Sequence, residues 1–186
     1  MLAFTAAGVL ASPVILAVTV AVDLAKRRPR LPAARVALFL LQYGINDSVE
    51  ILLAPFYWVF AGFGTRLDQP SSVRRHQRLQ EWSIAVLARR AERLLGLRLD
   101  IDADSIAALT PGPVIVLCRH VNLVDASLPT LLYQRLGYRT RGVIMAELLA
   151  DPGFDLIYSR TGSVFIPREN GPDARAMIRA LGSGVD

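Results

Sequence analysis

Residues 2–22 form a run of 21 without one charged side chain. At a helical rise of 1.5 Å per residue this is about 30 Å of helix, enough to cross the hydrocarbon core of a bilayer. A cleaved secretion signal fits badly, because no Lys or Arg precedes the run and it is too long. Lys26, Arg27, Arg28, Arg30 and Arg35 follow it. The positive-inside rule then places that flank in the cytoplasm and the N-terminus outside. A second apolar region, residues 36–63, is interrupted by Gly44, Asn46, Asp47, Ser48 and Glu50. Charges in mid-bilayer cost several kcal/mol, so an upright crossing is not expected there. Basic residues also lie beyond it, at Arg66, Arg74, Arg75 and Arg78. The reading is a re-entrant or interfacial helix pair dipping into one leaflet, with Tyr57 and Trp58 near the interface. Two core helices of a soluble domain are the alternative. A functional intramembrane pair, Asp47 and Glu50, is another.

Composition narrows the remaining choices. Hydrophobic residues make up 53% of the 186, and the mean hydropathy is +0.38. This excludes a disordered chain and suits one modest domain plus an anchor. The boundaries are 1–64 for the membrane anchor and 65–186 for the domain. The net charge of +5 suits an anionic lipid surface, nucleic acid or a phosphorylated substrate. No zinc spacing, recognition-helix signature or basic-aromatic interleaving is present, so nucleic acid is not an expected partner. Cys118 is the single cysteine and reads as a small buried hydrophobe. His76 and His120 lie too far apart, with no ligand cluster around either, for a metal site.

Beyond a turn at residues 68–72, Leu79, Trp82, Leu87, Ala91, Leu94 and Leu95 mark a helix ending near Gly96. Residues 97–101 alternate as a strand does, and 114–117 (Val-Ile-Val-Leu) read as a buried strand. Residues 126–136 then read as a helix, 141–145 as a strand, 164–166 as a strand and 173–181 as the start of a helix. Strands alternating with helices predict an α/β domain, a mostly parallel sheet flanked by helices, preceded by the N-terminal helical membrane anchor.

His120 and Asp125 follow the run at 114–117 and form a His-x4-Asp element. Five residues along one helix is a rotation of about 140°, so the two would not share a helical face. They can meet if His120 lies in a turn and Asp125 in the first turn of the next helix. An imidazole in that place can take a proton from a hydroxyl, and a carboxylate can fix its tautomer. A loop histidine beside a helix-capping Asp is the plainer alternative. No Gly-x-Ser-x-Gly elbow is present, which argues against a hydrolase.

This order of pieces resembles the glycerolipid acyltransferase family, typified by 1-acyl-glycerol-3-phosphate acyltransferases. The resemblance covers roughly the second half of the chain. The family's first motif is His-x4-Asp after a strand, here His120 and Asp125. Its second is similar to Gly-x-x-Phe-Ile-x-Arg, here Gly162, Phe165, Ile166 and Arg168. Between them the family often has Lys-x-Glu-Leu, then a Pro and a Gly; here Glu147, Leu148, Pro152 and Gly153 keep most of that. The resemblance implies transfer of a fatty acyl group from acyl-CoA or acyl-carrier protein to a (lyso)phospholipid or glycerol-phosphate hydroxyl. His120 would be the general base and Asp125 its orienting partner. Arg168 would grip the acceptor's phosphate, Gly162 and Phe165 would shape the pocket wall, and Glu147 would border the substrate.

The implied partners are a phospholipid membrane, the thioester co-substrate and a lysophosphatidate-like acceptor, with no further cofactor and no metal. The implied location is the membrane, with the catalytic part on the cytoplasmic face. Arg119 stands where the family commonly has Asn, and the Ser often found inside the first motif is replaced. The family's Pro-Glu-Gly-Thr strand would come next after residue 181, and the sequence ends at Asp186. The expectation is therefore a C-terminally truncated member of low activity. The alternative is a non-catalytic one that binds membrane lipid or acyl-CoA.

Overall fold

A computed structural model describes residues 2–98, 100, 102, 104, 106, 112–118, 123–167 and 176–179; for 123–127 the description covers the backbone. Three long helices open the chain: α1 (Leu2–Ala25), α2 (Pro32–Phe60) and α3 (Pro70–Leu95). A shorter helix, α4 (Leu123–Arg135), follows. Then come β1 (Val143–Met145), a 3-10 turn (Ala146–Ala150), α5 (Pro152–Tyr158) and β2 (Val164–Ile166).

α1 and α2 pack as a hairpin joined by a tight basic turn. The turn needs left-handed backbone at Arg27 (φ 52°) and Leu31 (φ 48°). Asp23 closes it, its Oδ2 accepting a 3.0 Å hydrogen bond from Ala34 N–H in the first turn of α2. Both helices are long and apolar enough to cross a membrane.

α3 runs antiparallel along the whole of α2. At one end the Arg35 guanidinium donates to the Arg93 carbonyl, in the middle Asn46 donates to Ser83, and at the other end Arg75 donates to the Phe60 carbonyl. The buried residues of α3 recur as Ser72, His76, Leu79, Gln80, Ser83 and Ile84. This is one helical face at the 3.6-residue period. Arg74, Arg78, Glu81, Arg89 and Arg90 occupy the exposed side. Gly96 ends the helix in the left-handed conformation (φ 71°), as a glycine past the last turn commonly does.

β1 and β2 pair in parallel, with Ile144 opposite Phe165. The 3-10 turn and α5 make the crossover between them. This is the sheet found among the described residues, and it has two strands. The expected α/β class with a mostly parallel flanked sheet is therefore overturned: the protein is mostly helical. The reason lies in two segments. Residues 114–117 have no regular structure and no strand pairing among the described residues, and Ile115 and Leu117 stand 90% and 94% exposed. An apolar run has a strand's composition, but it becomes a sheet strand only with neighbours to pair. Residues 97, 98 and 100, expected within a strand, also lack regular structure. Cys118 is exposed rather than buried.

Residues 36–63 differ from expectation as well. One continuous helix, α2, runs where a helix pair was expected. Asn46, Asp47, Ser48 and Glu50 do not break it, because they are buried against other helices rather than facing an apolar medium.

Candidate functional site

The polar residues of α2 form the buried polar centre of the molecule. Asn46, Asp47 and Glu50 are each 5% exposed. Asn46 and Glu50 are one turn apart and share a face. The Asn46 amide donates to Glu50 Oε1 at 2.9 Å and to Ser83 Oγ of α3 at 2.7 Å. The Asp151 carboxyl lies close enough to Asp47 to interact with it. Asp151 in turn caps α5 by accepting from Gly153 N–H at 3.0 Å.

Gly153 is where α5 meets α2. A Cβ there would collide with Asp47 Oδ1 and come within 3.2 Å of Glu50 Oε2. A side chain at this position is incompatible with the approach.

Among the described residues, two acceptors of this cluster remain without a partner, Asn46 Oδ1 and Asp47 Oδ2, as does Asp23 Oδ1 at the α1–α2 turn. Each such buried, unpaired atom costs about 1–3 kcal/mol. Asn46 and Asp47 line a cavity of about 250 Å³ between α2, α3, α4 and α5. Its other walls are largely apolar, from Phe39, Ile84, Leu87, Leu128, Leu131 and Ile157. Tyr158 also lines it. Burial pushes this phenol up to about 12, against the opposing pull of a Gln80 hydrogen bond, so it stays protonated at neutral pH.

A second cavity holds His76, Trp58, Leu156 and Arg160. His76 is 2% exposed, its Nδ1 lies 2.9 Å from the Ser72 carbonyl, and its ring meets Tyr57 at 5.2 Å. Burial first, then Arg160 and Arg75, hold its pKa below the ordinary histidine value.

The sequence-derived site residues fall in several places. His120 and Arg168 lie outside the described residues. The backbone of Asp125 sits in the first turn of α4, as a His-x4-Asp pair would require of its acid. Glu147 lies exposed in the 3-10 turn. Gly162 has φ 84°, a conformation that favours glycine, and leads into β2. Phe165 is half-buried on β2, opposite Ile144. The parallel register sets Gly162 beside Arg141 ahead of the strand pair and Glu147 just past its far end, with Phe165 between them.

Sequence reasoning placed Asp47 and Glu50 in or near the membrane and missed Ser83 and Gly153 as their partners. The one available signal was three polar side chains (46, 47 and 50) on neighbouring faces of an otherwise apolar helix.

The described residues thus define a mostly helical protein with a small strand-helix-strand unit and an apolar cavity ending in unpaired acceptors. Comparisons with protein-family models, with curated proteins and with solved structures return no match.

Proposed function

We propose that this chain is a membrane-bound O-acyltransferase, moving a fatty acyl group from acyl-CoA or acyl-carrier protein to the hydroxyl of a lysophosphatidate-like acceptor. The observation that carries this reading is the order of two motifs, His120 with Asp125 and then Gly162 to Arg168, behind two helices suited to a membrane. In this reading His120 takes the proton from the acceptor hydroxyl. The oxygen attacks the thioester carbonyl, the carbon–sulfur bond breaks, and the thiolate leaves with the proton returned from the imidazolium. Asp125 holds the imidazole in the tautomer that accepts. Arg168 offers the acceptor's phosphate a bidentate pair of donors. Lys26, Arg27, Arg28 and Arg30 favour placing the α1–α2 turn against an anionic cytoplasmic leaflet.

The test is thioester consumption by the membrane-reconstituted chain, given acyl-CoA and a lysophosphatidate. His120→Ala is expected to lower turnover by about 10²–10⁴-fold, the usual worth of a positioned base, with membrane binding unchanged. Equal turnover in the variant sinks the assignment of the base. Absence of turnover in the parent chain, with lipid binding retained, turns the reading to a binding protein.

A further inference from the structure

We propose that the cavity between α2, α3, α4 and α5 binds a single-chain amphiphile whose head presents hydrogen-bond donors, a hydroxyl or an ammonium, to Asn46 and Asp47. None of the observations behind it involves His120, Asp125, Gly162 or Arg168, so it stands or falls independently of the acyl-transfer reading.

Three observations converge. The cavity of about 250 Å³ has apolar walls over most of its surface, which suits a hydrocarbon chain. That volume lies near the lower end for ligand pockets, so one chain rather than two is the appropriate size.

The second observation is the balance of donors. Both hydrogens of the Asn46 amide are committed, one to Glu50 and one to Ser83. Ser83 Oγ is taken up as the acceptor of one of those bonds. Asn46 Oδ1 and Asp47 Oδ2 nevertheless remain unpaired at 95% burial, on two side chains that line the cavity. The Asn46–Asp47 cluster is thus short of donors of its own, while Tyr43, Gln80, Arg98 and Tyr158 also line the cavity.

The third is charge. Among the described residues the ion pair found is Arg135 with Glu92, and none reaches Asp47 or Glu50. A head carrying O–H or N–H groups completes these bonds. A carboxylate or phosphate head brings further acceptors to Asn46 and Asp47 and is disfavoured there, the exposed Arg98 of the cavity lining being the group that would compete for such a head.

The experiment uses the full chain in phosphatidylcholine nanodiscs, titrated with decylamine, 1-decanoylglycerol and decanoate, with saturable binding and the thermal midpoint as readouts. Saturable binding of decylamine or 1-decanoylglycerol, about 10-fold or more tighter than decanoate, is expected. Which of the two wins decides between an ammonium and a hydroxyl head. Leu131→Trp, which fills the cavity, and Asp47→Leu, which removes one unpaired acceptor, are each expected to weaken that binding about 10-fold or more. Either variant suffices where the other fails to fold. Decanoate binding as well as the donor-headed probes overturns the proposal. So does the absence of saturable binding by either donor-headed probe, or unchanged binding in every variant that folds.

Discussion

Along α1, Phe4 and Leu10 stand 80% and 83% exposed. Along α2, a helix of similar apolar character, Asn46, Asp47 and Glu50 are nearly inaccessible. The two helices pack side by side, yet their energetics differ. The exposed side chains of α1 gain nothing from the fold and have an apolar medium as their natural surroundings. α2 has one face of that kind, with Leu40, Leu52 and Phe56 exposed. Its other face is a polar seam locked to α3 and α5. Hydropathy sums cannot separate these cases, because what matters is which face carries the polar residues and what lies opposite them. α3 also constrains α2: its charged outer side runs the length of α2, so α2 could not stand alone in a bilayer without carrying arginines with it.

The contrast can be broken most forcefully at the seam. Leu79 is buried on α3 at 4% exposure. Leu79→Ala is expected to cost about 2–5 kcal/mol of stability, read as the unfolding midpoint in denaturant. Asn46→Ala is expected to cost about 1–3 kcal/mol, since Glu50 and Ser83 each lose a donor. A loss as small as a surface substitution would show that the seam does not hold α2 to α3.

A third measurement concerns pH. His76 has a lowered pKa in the fold, while in the unfolded chain it titrates near its ordinary value of about 6.5. Below about pH 6.5 the unfolded state therefore binds more protons, and stability falls as pH falls. His76→Asn should remove that part of the slope between about pH 5 and 7, seen by comparing the midpoints of the two proteins across the range.

The smallest effect belongs to α1. Leu10→Ala should leave the unfolding midpoint in detergent within about 0.5 kcal/mol, while weakening partition into lipid vesicles. A large loss of stability would mean that α1 is covered by protein.

Much of this was legible in the sequence at the level of local elements. The apolar run of α1, the apolar stripe and Gly96 stop of α3, the helix carrying Asp125 and the strand ending at Ile166 all follow from periodicity and turn chemistry. The architecture was not legible in the same way. The Val-Ile-Val-Leu run at 114–117 has a strand's composition, but pairing is a property of neighbours that periodicity does not reveal. The polar seam was misread for a related reason. Asp47 and Glu50 look prohibitive within an apolar helix until Ser83, some 37 residues from Asn46 in the chain, arrives opposite. Of the proposed catalytic set, sequence supplied the spacing of His120 and Asp125, and α4 carries the backbone of Asp125, while His120 lies outside the described residues.

The clasp between Asp23 and Ala34 has a consequence for biogenesis. It joins positions 11 residues apart, so closing it demands little loop entropy. Contacts this local form quickly, and they do not wait for distant partners. The first two helices can therefore zip together while α3 is still being synthesised, so the hairpin is in place before the helix that covers its polar seam.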